Sequence, residues 1–94
     1  MAVSLNFTED SLARRFAERH QGTLRYLVSR RRWMLRDGDN WKEDATMATL
    51  DRIRAFCREA AAECEPSDSR RLASARTVKA VERLARSDRR LVRP

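Results

Sequence analysis

Apolar residues at the start of the chain recur at helical spacing. Leu12, Ala13, Phe16 and Ala17 form one stripe, with Arg14, Arg15 and Glu18 turned away from it. Thr8 is the expected N-cap, Glu9 and Asp10 complement the positive helix end, and Phe7 is placed to staple onto Leu12. Arg19 and His20 suit the C-terminal end, and Gly22 stands just beyond as a stop. His20 therefore reads as a helix-end cation rather than a catalytic base.

The period then changes from helical to alternating. Leu24, Tyr26 and Val28 share one face of a strand, and Arg32 to Arg36 alternates again, with Trp33 and Leu35 one way and Met34 and Arg36 the other. Asp37-Gly38-Asp39-Asn40 is a turn signal, and Trp41 begins a third short strand. The helical period returns from Asp44, an expected N-cap, through Met47, Leu50, Ile53, Phe56 or Cys57, Ala60 and Cys64, with the helix running to about Glu63. Pro66-Ser67-Asp68 breaks it. A last helical stretch carries Leu72, Val78, Val81, Leu84, Ala85 and Leu91 as apolar positions, and a break near Ser74 would split it in two. The pattern predicts a mainly helical α+β fold: an N-terminal helix, a small three-stranded antiparallel meander covered by helix on one face, then two or three C-terminal helices.

Length makes this a single small domain over residues 1–94, of a size that buries roughly 60–70% of its unfolded surface. Charged residues make up 37% and hydrophobic ones 41%, enough apolar material for one modest core but not for a deep cleft between two domains. The net charge of +7 changes the picture because it is segregated. Residues 14–36 hold eight arginines against one glutamate, residues 37–65 hold eight acids against four bases, and residues 66–94 hold nine bases against three acids. The basic segments either pair with the acidic one or converge into a positive face that attracts polyanions.

Cys57 and Cys64 are seven apart, which on a helix places them on one face about 10 Å from each other, too far for a disulfide. They read as small buried hydrophobes of a reduced, cytoplasmic protein. The single histidine and the absence of a Cys-x-x-Cys pair leave no zinc site, and no apolar run is long enough for a signal peptide or membrane span. The only glycines, Gly22 and Gly38, are isolated, so there is no phosphate-cradling loop and ATP hydrolysis is not expected. Asp37 and Asp39 flank Gly38 as turn residues rather than metal ligands, and no serine has a histidine at usable spacing. The sequence thus predicts no enzyme, no cofactor and no metal.

The order Phe7–Ala13, Phe16–His20, Leu24–Tyr26, Trp33, Asp37-Gly38, Trp41, Cys57–Glu63 and Ser74–Arg86 resembles the helicase-associated N-terminal domain of poxvirus-type phage and plasmid DNA primase–helicases, the superfamily-three helicase proteins. The resemblance runs from about Phe7 to Leu91, and it lies in order and spacing, since no motif in it is catalytic. It implies a module that accompanies an ATPase and often a primase; neither of those domains is expected within these 94 residues. The family's meander favours tryptophan where this chain has Arg30 and Arg36, and glycine where it has Arg31. An arginine in a glycine position implies a different loop conformation.

Two functions follow as expectations. The resemblance implies a non-catalytic phage or mobile-element accessory module that binds DNA. Arg30, Arg31, Arg32 and Arg36 would contact phosphates, Trp33 or Trp41 would stack on a base or serve as framework, and Arg83, Arg86, Arg89 and Arg90 would extend the track. The alternative is a small protein-interaction module whose arginines pair with an acidic surface of a replication or host-defence nucleoprotein complex, such as a CRISPR complex, and inhibit it.

Overall fold

In the computed structural model, which describes residues 7–94, Thr8 caps the first helix by accepting the Ser11 amide at 3.1 Å. Helix α1 (Glu9–His20) buries Leu12, Ala13, Phe16 and Ala17, the stripe its spacing predicts. Its end differs in one respect from the expectation. His20 stacks on Phe16 with ring centroids 4.4 Å apart, and burial, then Arg52 and Arg19, push its pKa below the ordinary 6.5. These surroundings disfavour the imidazolium form at the helix end.

Strands β1 (Leu24–Leu27), β2 (Arg32–Asp37) and β3 (Asn40–Glu43) form the predicted antiparallel succession, with Tyr26 opposite Trp33 and Arg36 opposite Trp41. Gly38, at φ +63°, supplies the left-handed first residue of the two-residue β2–β3 turn. The meander is nevertheless only part of the sheet. Strand β4 (Val92–Arg93) adds to β1 in parallel, giving a four-stranded mixed sheet ordered β3-β2-β1-β4. The Tyr26 and Val28 amides donate to the Leu91 and Arg93 carbonyls at 2.9 and 3.0 Å. A two-residue strand has no periodicity to read, and its partner lies more than sixty positions away in the chain. Val28 falls outside β1 and stays 54% exposed.

Helix α2 (Ala48–Ala61) begins later and ends earlier than its pattern suggests. Asp44 still caps it, but from a distance. The amides of Thr46, Ala48 and Thr49 donate to its carboxylate at 3.2, 2.9 and 2.8 Å. The chain reaches this arrangement by placing Met47 in the left-handed region at φ 61°, with its side chain 65% exposed. Pro66 opens α3 (Pro66–Leu72), and Ser74 accepts the Thr77 amide to start α4 (Ala75–Ala85), so the break at Ser74 does split the last stretch in two.

The core lies where α1, α2 and α4 meet one face of the sheet. Phe16 meets Phe56 edge-on at 5.7 Å, and Leu12, Leu24, Ile53, Leu72, Val81 and Leu91 are fully enclosed. Cys57 is buried and its thiol is pushed up to about 11, whereas Cys64 is only half-buried and donates to the Ala60 carbonyl at 3.3 Å. Leu84 remains 40% exposed. Among the described residues no helix is long and apolar enough to cross a membrane.

Burial raises the Asp44 pKa, but the three donated amides outweigh it and hold the carboxyl below its ordinary 3.8. Its stabilisation is therefore present above that value and fades as pH falls through the folded pKa. Asp44→Ala is expected to cost about 1–2 kcal/mol at pH 7. Thermal unfolding from pH 7 to pH 2 checks this, with the gap between wild type and variant narrowing at the acid end.

Candidate nucleic-acid interface

Alternation divides the sheet into two faces of different character. The inner face carries Leu24 and Tyr26 from β1, with Trp33 and Leu35 from β2 directly opposite them. Trp33 meets Tyr26 edge-on at 5.1 Å, and its indole N–H donates to Glu82 of α4 at 2.8 Å. Arg86, at the C-cap of α4, donates to both oxygens of the same carboxylate at 2.8 and 3.0 Å. Its guanidinium also lies over the Tyr26 ring, 5.3 Å from the centroid. Trp33 and Arg86 thus hold the sheet to α4.

The outer face carries Arg25 and Leu27 of β1, Arg32, Met34 and Arg36 of β2, and Trp41 of β3. None of these side chains is buried. The Arg25 guanidinium sits 4.1 Å from the centroid of the Trp41 ring, spanning from β1 to β3 across β2. Beyond the end of this face, the β1–β2 turn exposes Arg30 and Arg31, and Arg32 makes only a loose ion pair with Glu43 at 3.6 Å.

The ten expected contact residues therefore separate. Arg30, Arg31, Arg32 and Trp41 gather on the outer face and its loop. Trp33 is framework on the opposite face. Arg36 is spent on local structure, donating to the Gly38 carbonyl at 2.9 Å and the Gly22 carbonyl at 3.4 Å. Arg86 belongs to Glu82, and Arg90 braces the turn before β4 by donating to Asp88 and to the Arg14 carbonyl of α1. Arg90 holds the Asp88 carboxyl below its ordinary range. The expected helical track is only partly helical: α4 ends at Ala85, so Arg86, Arg89 and Arg90 lie in the turns beyond it. Of the four, only Arg83 and Arg89 are exposed with no ion pair among the described residues. Arg25 was missed because a strand arginine between two apolar residues reads as a solvated position. Its placement over Trp41 depends on a pairing two strands away.

No group of three or more His, Cys, Asp or Glu residues suited to a metal occurs among the described residues. The profile of the D5 N terminal like family matches residues 13–94. The chain belongs to that family, the N-terminal domain of phage and viral primase–helicases. No curated protein and no solved structure matches it significantly.

Residue 31 is the strained position of the β1–β2 turn. Arg31 takes φ 54°, the left-handed conformation that a glycine adopts freely. The arginine bears the strain of that conformation, about 1 kcal/mol for an L-residue. Its amide donates to the Val28 carbonyl at 3.3 Å, closing the turn beneath it. Arg31→Gly is accordingly expected to raise the melting temperature by about 4–8 °C, the equivalent of about 1 kcal/mol in a domain this small. Differential scanning calorimetry checks it; an unchanged or lower value would mean that the arginine side chain contributes to the fold.

Proposed function

We propose that this chain is a non-catalytic nucleic-acid-binding accessory module of the primase–helicase kind, taking single-stranded nucleic acid across the outer face of its sheet. The observation that carries this is the Arg25–Trp41 stack on an open sheet face beside Arg30, Arg31 and Arg32. A half-exposed indole offers a stacking surface to an unpaired base, and a base inside a duplex cannot reach it. Arginines at the end of the same face would hold the backbone through their planar forks.

The strain at Arg31 supports the same reading. Arg31 stands in the left-handed region, and such outliers concentrate at binding sites. The arginines at and beyond the end of α4 support it less, because Arg86 and Arg90 are already bonded within the fold.

Anisotropy with a labelled 20-nucleotide single-stranded DNA tests the reading. Affinity should fall steeply with salt, and changing Arg30, Arg31 and Arg32 together to Ala should flatten the log–log slope by about 2. Trp41→Ala should cost about 1–3 kcal/mol of binding. Absence of binding at low ionic strength, or equal binding by both variants, would overturn it. Sensitivity confined to Arg83→Ala and Arg89→Ala would move the site to the end of α4 and the turn beyond it.

A further inference from the structure

A second surface, away from the outer sheet face, has its own chemistry. Arg54 and Arg58 of α2 border a depression of about 290 Å³ together with Ala73, Ala75 and Val78. Met47 and Leu50, from the other end of α2, border one of about 390 Å³ with Lys79 and Arg83 of α4. The two helices are therefore antiparallel along this surface. Leu50 and Lys79 line both depressions, which adjoin as a trough between α2 and α4, and a third of about 470 Å³ borders it on the α2 side at Met47, Leu50 and Arg54.

Its floor is apolar and its rims are basic. Ala73 and Ala75 keep one end open, while Leu50 and Val78 pave the middle. Met47 stands 65% exposed at the other end, held there in a left-handed conformation by the Asp44 loop. Arg54 and Arg58 are four apart on one rim, and Lys79 and Arg83 are four apart on the other. Two carboxylates also line the trough. Asp51 is exposed, and Glu82 is already engaged by Trp33 and Arg86. With the Glu82–Arg86 pair set aside, four cations face one acid, Asp51.

We propose that this trough docks an acidic amphipathic helix of a partner protein. Apolar side chains at i, i+3/i+4 and i+7 would seat on Met47, Leu50 and Val78. Carboxylates on the two flanks would pair with Arg54 and Arg58 on one side and with Lys79 and Arg83 on the other. Charge complementarity selects the occupant: cations at i, i+4 spacing, about 6 Å apart, match carboxylates at the same spacing on an incoming helix. A phosphate backbone would use the rims but gain nothing from a floor of Met, Leu and Val. This inference is independent of the sheet-face reading.

The test uses the full chain and a fluorescein-labelled 18-residue helical peptide with leucines on one face and glutamates on both flanks. An isomer of scrambled order serves as the control. The ordered peptide should bind, and the scrambled one at least tenfold more weakly. Met47→Gly relieves the left-handed strain and so keeps the fold, yet should weaken binding about tenfold. Arg54→Glu combined with Arg83→Glu should weaken it at least tenfold, while the Arg30, Arg31, Arg32 triple alanine variant should not change it. Failure to bind, equal binding of the scrambled isomer, or loss only in the triple variant would overturn the proposal. So would competitive displacement of the peptide by single-stranded DNA that the Arg54→Glu, Arg83→Glu variant no longer binds, which would make the trough a nucleic-acid site.

Discussion

One carboxylate organises this small domain. Glu82 is mostly enclosed between α4 and the sheet, where it accepts the Trp33 indole N–H and both arms of the Arg86 guanidinium. A half-buried indole donor left without a partner costs about 1–3 kcal/mol, so Trp33 is committed to the helix side once α4 supplies Glu82. The period of two then fixes everything else on the sheet. Tyr26 and Leu35 turn inward with Trp33, while Arg25, Met34, Arg36 and Trp41 turn outward. Trp33 is framework through a residue on a helix far along the chain, while Trp41 lies on the opposite face.

The arginines divide by the same logic. Those with an acceptor close by in the fold are drawn into it: Arg36 by the carbonyls of two turns, Arg86 by Glu82, Arg90 by Asp88 and the end of an α1 peptide. Those in the β1–β2 turn and along the α2–α4 trough meet few acceptors and stay exposed. The two left-handed non-glycine residues of the described chain, Arg31 and Met47, lie one on each of these surfaces. At both, a side chain faces solvent where glycine would relieve the backbone.

Much of this was legible in the sequence, for reasons that can be named. The α1 stripe, the Thr8 cap, the break at Ser74 and the antiparallel strand succession are local patterns carried by period and turn chemistry, and the order of residues along the chain marked the family. Strand β4 was not legible, because two residues carry no period and their partner is remote. Asp44 was legible as a cap but not in its reach, since the left-handed Met47 that lets it span to Ala48 and Thr49 has no residue signature. The candidate surfaces were half legible. Exposed loop arginines can be read from composition, whereas the Arg25–Trp41 stack and the capture of Arg36, Arg86 and Arg90 depend on contacts across strands and helices.

Arg86 shows why counting cations overstates a basic surface. It lines the trough, but its guanidinium is already paired with both oxygens of Glu82 and lies over Tyr26. A partner carboxylate that recruited it would have to break that fork, leaving Glu82 poorly solvated and weakening the hold on Trp33. The attraction available to a ligand therefore resides in Arg54, Arg58, Lys79 and Arg83, which give nothing up when they bind. The same reasoning applies to Arg36 on the sheet, where contact with a phosphate would release the carbonyls of Gly38 and Gly22. In a chain this rich in arginine, the charge offered to a proposed ligand is set by which basic groups the fold has left uncommitted.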